Sequence, residues 1–359
     1  MKYEYCNIAL TMEDYRQVME AVYSNDYYTN HGPLARELEC ALEKHLFSAN
    51  AVCMYSDALA LLVALTGLKI SGNVVVADFG SVIPVKAALW AGLEVKIADV
   101  DRDTHMLSID TLDAVIETNT EAVIITELWG NKIGSDVIDY LLSKSMAIII
   151  YSDSLYKNNA TRNDFENIIY VYPFFINARD SSSDGGCIAT SNNELAEVFR
   201  NLRSSYGSRR TIDGLATLNG RFSEIQAGLV SKYLSRIDDL SKINSMIYKA
   251  YKKMISRIDD IELYTIPENV ISNYQYITIN NFSHNSTYHM SKLDRIFAEY
   301  GNILLSDRKL CIHDMPYFKK ENIDNNFPVS TELNKSVMPF YMNSNISDDV
   351  LELSIDDVN

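Results

Sequence analysis

From about residue 33 to residue 174 the chain switches repeatedly between two hydrophobic periods, and no other feature restricts its fold as much. Residues 34–46 carry apolar side chains at helical spacing, and 58–68 do so again with apolar residues on nearly every side. This predicts two helices, the second of them buried. Short β-branched runs follow at 74–77, 94–99, 122–126, 147–151 and 168–174, with helical patterns between them. Strands that alternate with helices and are apolar on both faces predict a largely parallel sheet covered on both sides. Ligands of such sheets bind beyond the carboxyl ends of the strands. Those ends fall here at Ala77-Asp78-Phe79-Gly80-Ser81, Glu127-Leu128-Trp129-Gly130 and Ser152-Asp153-Ser154.

Further on, 185–190 reads as another strand and 194–204 as a helix, and 223–257 is helical for most of its length, with Ile225, Leu229, Tyr233, Leu234, Ile237 and Leu240 on one stripe. A long helix leaving an α/β unit is a bridge to a second domain. The expected division is a large α/β domain over 1–240, including the N-terminal segment, and a small α+β domain over 241–359, with a strand at 274–279 and a helix at 291–300. Hydrophobic residues are 47% of the 359 and charged ones 22%, enough apolar surface to offset the entropy of ordering. The formal net charge of −16, with no lysine- or arginine-rich block, excludes a nucleic-acid partner, because a phosphate backbone meets net repulsion.

Five cysteines without a CxxC pair fit neither a disulfide framework nor a zinc site, and the six histidines show no HExxH or paired spacing, so no metal is expected. No apolar run reaches the ~18 residues of a membrane span, which makes the expected location cytoplasmic. The small, glycine-terminated block 181–186 lacks the G-x-x-x-x-G-K-[ST] arrangement of a phosphate loop and leads into a strand rather than a helix.

Several segments in a shared order resemble the DegT/StrS family of nucleotide-sugar aminotransferases. They are Tyr28-Thr29-Asn30-His31-Gly32-Pro33, Val74-Val75-Val76-Ala77-Asp78-Phe79, Ala91-Gly92-Leu93-Glu94-Val95, Asn219-Gly220-Arg221-Phe222-Ser223-Glu224-Ile225-Gln226-Ala227 and an ending at Phe327-Pro328-Val329 with Pro339. The resemblance implies an aspartate-aminotransferase-like large domain (fold type I of the pyridoxal-phosphate enzymes) with a smaller C-terminal α+β domain. It also implies a pyridoxal phosphate cofactor, a keto-sugar carried on a nucleotide, and two subunits that build each active site.

Position by position, the resemblance then fails at the cofactor. Its F-F-x-N-K-x-x-x-x-x-E-G-G pattern falls on Phe174 to Gly186 and puts Ala178 where the Schiff-base lysine belongs. A methyl group forms no imine and moves no proton. Lys132 and Lys157 lie on nearby predicted loops and are the candidate surrogate amines. The family's phosphate-holding S-G-T becomes Ser56-Asp57-Ala58, which sets a carboxylate where an anion should sit and removes a hydroxyl; as a helix N-cap, Asp57 reads as structural.

Ser81 replaces the ring-stacking aromatic, and Pro173 replaces a phosphate-binding serine. Asp153 is retained where the family pairs an aspartate with the pyridine nitrogen, and Tyr156 is a further cofactor-site position. Asn219 matches the residue that reaches the partner subunit's phosphate, while Arg221 and Asn177 match substrate-side positions.

The resulting expectation is a member without a cofactor that has lost transamination. It would bind a nucleotide-sugar or serve as a partner subunit, as a homodimer or as a heterodimer with a lysine-bearing homologue. The alternative is an active enzyme on a nucleotide-linked keto-sugar, aminotransferase or dehydratase-like, with a non-lysine base. An engineered Lys-to-Ala exchange at 178 is opposed by Asp57, Ser81 and Pro173, which a single deliberate change would have left as the family has them.

Overall fold

The computed structural model describes residues 10–28, 31–152, 155, 168–174, 185–204, 211–212, 216–256, 262–264, 266, 272–280, 303–304, 311–320 and 326–341. Thr11 opens the first helix, α1 (Met12–Ser24), through a capping box: its Oγ1 accepts the Asp14 N–H while the Asp14 carboxylate accepts the Thr11 N–H. Helix α2 (Pro33–Leu46) has proline in its first turn, where the missing N–H costs nothing, and ends at Phe47 in the left-handed region.

Then come β1 (Asn50–Met54), α3 (Asp57–Gly67), β2 (Asn73–Ala77), α4 (Ile83–Trp90), β3 (Val95–Ala98), α5 (Ile109–Asp113), β4 (Thr120–Glu127), α6 (Ser135–Ser143), β5 (Ala147–Ser152), β6 (Ile168–Pro173), β7 (Gly186–Thr190) and α7 (Asn193–Arg203). Helices α8 (Glu224–Leu234) and α9 (Ile237–Ile255) lead to β8 (Glu262–Leu263), β9 (Tyr276–Asn280), β10 (Ile303–Leu304), α10 (Pro316–Lys320), α11 (Pro328–Ser336) and β11 (Val337–Tyr341).

The first seven strands form one sheet in the order β1-β7-β6-β5-β4-β2-β3. From β6 to β3 every pairing is parallel, and β7 and β1 close the other side antiparallel. Alternate strand residues enter opposite cores. Val74, Val76, Ile124 and Ile149 pack with α3, α4 and α7 on one face, whereas Val75, Val123, Ile125, Ile148 and Ile150 pack with α5 and α6 on the other. Each such side chain contributes about 1.5–3 kcal/mol on burial, which is why these strands are apolar on both faces. The second sheet, β10-β11-β9-β8, is antiparallel.

Two sequence expectations change. The strand β1 is absent from the periodicity reading, and the helical stretch 223–257 is two helices. The break comes at Ser235 and Arg236, where the Arg236 guanidinium forks onto the buried Asp14 of α1 at 2.7 and 2.9 Å. The ion pair thus anchors the junction between the two helices to α1. The expected helix at 291–300 lies outside the described residues.

Candidate functional site

The carboxyl ends of β2, β4 and β5 and the start of α3 face the same end of the sheet, where a parallel α/β fold binds its ligands. At α3 the helix cap is Ser56, not Asp57 as the sequence reading had it. Ser56 holds extended backbone and its Oγ accepts the Leu59 N–H at 3.2 Å. Asp57 is the first helical residue and is only 4% exposed. Its Oδ1 accepts the Ala58 N–H at 2.8 Å, and its Oδ2 accepts the Tyr151 hydroxyl from β5 at 2.5 Å. The Ala58 and Leu59 N–H donors at this helix start are therefore engaged by the chain's own oxygens, and the positive end of the dipole faces a carboxylate. Gly186 makes the close approach possible, since a Cβ there would lie 2.7 Å from the Asp57 Cα.

Ser81 sits half-buried before α4, its Oγ accepting the Ile83 N–H at 3.3 Å, so it acts as a turn residue and offers no ring to stack on a cofactor. Asn219 and Arg221 come together: the Arg221 Nε donates to the Asn219 Oδ1 at 3.1 Å on an exposed stretch. That stretch is sewn beside α3 and α2, because Tyr55 N–H donates to the Gly220 carbonyl and His31 N–H to the Phe222 carbonyl. Asp153, Tyr156, Asn177 and Ala178 lie outside the described residues, as does Lys157. Lys132 lies in the loop between β4 and α6; burial pushes its ammonium pKa down, against the raising influence of Glu127.

Sequence reasoning missed two things here. The motif Phe222-Ser223-Glu224-Ile225 carries a fully buried carboxylate, Glu224, whose oxygens accept the Leu34 and Ala35 N–H groups at 2.8 and 3.1 Å and so cap α2 from 190 residues away. At the end of β2, Asp78 is wholly buried and meets His313, which lies 235 residues further along, with Oδ2 2.6 Å from Nδ1. Neither partnership has a local signal, because both are made by distant chain.

At the positions that the family resemblance gives to a cofactor's phosphate and ring, the described residues present the Asp57 carboxylate, which repels an anion, and the Ser81 hydroxyl, which offers no stacking surface.

The profile of the DegT/DnrJ/EryC1/StrS aminotransferase family matches residues 10–358. The chain belongs to that family. Among curated proteins this family member is 22% identical over 346 residues to the dTDP-4-amino-4,6-dideoxy-D-glucose transaminase of Escherichia coli, covering 93% of this chain and 92% of the relative. Among solved structures it is similar to DesV of S. venezuelae, determined in complex with a ketimine intermediate, at a TM-score of 0.82 and 20% identity over 96% of this chain and 93% of that one. It is also similar to DesI, determined in the presence of its TDP-sugar product, at 0.83 and 18% over 100% and 93%. At these identities the structural likeness establishes the aminotransferase fold, which bears out the fold expected from sequence. Among the described residues, no helix is long and apolar enough to cross a membrane.

Proposed function

We propose that the chain keeps the nucleotide-sugar scaffold of its family without the imine chemistry, and acts as a nucleotide-sugar binder or as the partner subunit of a lysine-bearing homologue in sugar biosynthesis. The observation that carries this reading is the Asp57 carboxylate at the start of α3, hydrogen-bonded to the Ala58 N–H and the Tyr151 hydroxyl, in the place an anionic cofactor would need. Ala178 at the lysine position of the sequence pattern supports it from the chemical side. Exposed apolar residues at Tyr55 and Leu218, beside Asn219, support a two-fold dimer through this face. Light scattering is expected to give about twice the chain mass.

Titration with pyridoxal phosphate, followed at its visible absorption band, tests the loss of cofactor. No saturable binding is expected, and a low-micromolar dissociation constant overturns the reading. A calorimetric screen against nucleoside diphosphate sugars should then return at least one ligand. A second reading, an enzyme with a surrogate amine, rests on Lys132, whose ammonium is destabilised by burial at the ligand end of the sheet. Borohydride trapping with a keto-sugar nucleotide, read by mass spectrometry, would place an adduct on Lys132 under that reading and none under the first.

A further inference from the structure

Three potential metal ligands of three different kinds meet where the 311–320 segment docks on the end of β2. Phe79 and Cys311 form an isolated antiparallel bridge, and the Ile312 N–H donates to the Asp78 carbonyl at 2.8 Å, so the docking is fixed by backbone. It brings an Asp78 oxygen, the Cys311 sulfur and a His313 ring nitrogen all within 4.8 Å of one another. We infer that Asp78, Cys311 and His313 bind a zinc-like divalent cation, with the fourth coordination position open to solvent.

The donor set is a carboxylate oxygen, a sulfur and an imidazole nitrogen, the mixture that suits zinc, and three protein ligands with a fourth place free is the arrangement of reactive rather than purely structural zinc sites. Tetrahedral zinc sets its ligand atoms about 3.3–3.6 Å apart. The 2.6 Å contact between Asp78 and His313 therefore opens by less than 1 Å, roughly, when a cation enters. Two of the three side chains are held in place, and the Cys311 thiol, which donates to the Ser330 carbonyl at 3.2 Å, gives up that contact on ligation. Asp78 is fully buried, and its second oxygen accepts the His313 backbone N–H at 2.8 Å. The His313 ring stacks at 15° on Phe327.

Asp99 and Asp314 add their fields to that of Asp78 at the Cys311 sulfur, an arrangement that attracts a cation, with Lys319 offsetting Asp314 from 2.9 Å. His313 is the ligand that reaches solvent, its side chain 27% exposed, so a cation would enter from its side. Ligation releases the Cys311 thiol proton to solvent and leaves a thiolate on the metal. The sequence reading excluded a metal because it looked for close spacing; the site is assembled from two segments that spacing cannot connect.

The inference is independent of the reading in the preceding subsection. Its test uses the full chain, stripped with chelator under reducing conditions and titrated with Co²⁺. A near-ultraviolet sulfur-to-cobalt band is expected to saturate at one equivalent and to be displaced by Zn²⁺. Cys311→Ser should abolish the band. His313→Ala, at a partly exposed position, should weaken Zn²⁺ at least about tenfold in chelator competition, since even outer partners of a metal site are worth that much. Cys40→Ser, at an exposed cysteine elsewhere, should change nothing. The proposal is overturned if wild-type protein gives no stoichiometric band, or if the band survives both Cys311→Ser and His313→Ala. It is equally overturned if His313→Ala lowers the melting temperature while Zn²⁺ fails to raise that of wild type, which would make the Asp78 contact a docking hydrogen bond only. Should Cys311→Ser not fold, the His313→Ala competition decides alone.

Discussion

Helices α2 and α3 both begin against a carboxylate, and the two carboxylates do different things. At α2 the group comes from Glu224, far away in sequence, and takes two N–H groups inside the packed body, so it ties α8 to α2. At α3 the group is local, Asp57, and it stands at the ligand end of the sheet. The physics is shared: free N–H groups and a positive dipole end attract an anion. In one place the anion is a structural joint. In the other, on the proposed reading, it stands where a phosphate would need to sit, and the same interaction would act as exclusion.

The contrast predicts that the α2 region is costly to disturb. Beneath Glu224, the α2 residue Glu39 lies buried against the fully buried Arg203, with Oε1 2.6 Å from Nη1, while His31 Nε2 is 3.4 Å from its other oxygen. Arg203 also donates to the Cys53 carbonyl at 3.0 Å. Arg203→Met takes away the main counter-charge of the buried Glu39 and leaves it only His31 and the Cys53 N–H, and denaturant unfolding should show a loss of about 3–5 kcal/mol. The double variant Arg203→Met with Glu39→Met should recover much of it, because the desolvation cost of the pair disappears with the pair.

The pH dependence follows from the same group. Burial would raise the Glu39 pKa, but Arg203 and His31 outweigh it and hold the group down at about 2, against an ordinary 4.5. A depressed carboxylate stabilises the folded state above its unfolded pKa, and that contribution is lost as pH falls from 4.5 toward 2. Melting curves taken across that window should fall more steeply for wild type than for the double variant. Equal slopes would remove Glu39 from the account.

Next in size is the joint itself. Glu224→Gln keeps the shape but replaces a charged acceptor by a neutral one that also brings donors, and about 1.5–3 kcal/mol should be lost, as expected for hydrogen bonds to a charged group. Unchanged stability would mean that water satisfies the α2 donors as well as Glu224 does, and the comparison of the two helix starts would lose its first member.

How much of this was legible in the sequence depends on range. The parallel strands were, because β-branched runs such as Val74-Val75-Val76 and Ile148-Ile149-Ile150 state their own burial on both faces. Strand β1 was not, since Asn50-Ala51-Val52-Cys53-Met54 becomes a strand by pairing with β7, from Thr190 back to Gly186. The break between α8 and α9 keeps helical periodicity on both sides, and the Asp14 that Arg236 meets there is 222 residues away. Of the site, the helix start at 56–58 was legible to within one residue. The cap moved from Asp57 to Ser56 because the Ser56 hydroxyl reaches the Leu59 N–H, which leaves the Asp57 carboxylate for Tyr151. The Asp78 and His313 pairing carries no sequence signal at all.

The second member of the comparison is tested at Asp57. Asp57→Ser removes the negative charge from the α3 start, and a charge at a helix terminus is worth up to about 1 kcal/mol, so pyridoxal phosphate or inorganic phosphate should bind about fivefold better. The Tyr151 hydroxyl loses its acceptor, and stability should fall by about 1–2 kcal/mol. Binding that does not improve would show that exclusion at this end of the sheet comes from elsewhere.

The smallest effect on stability, and the most specific on function, belongs to Asn219. Within the chain it accepts an exposed hydrogen bond from Arg221, so Asn219→Ala should change unfolding by no more than about 0.5 kcal/mol. In the partner-subunit reading this side chain is spent on the neighbouring site, where one chain supplies the lysine and the other supplies polar groups that a developing charge needs in place beforehand. A mixed dimer of this chain with a lysine-bearing homologue then has one working site rather than two. Co-expression, isolation of the mixed species and Asn219→Ala in this chain only should lower its turnover at least about tenfold, with the fold undisturbed, a loss of about 1.4 kcal/mol in transition-state binding. Turnover indifferent to the substitution, or failure of the mixed species to form, breaks the subunit reading and leaves nucleotide-sugar binding by the homodimer as the reading to pursue.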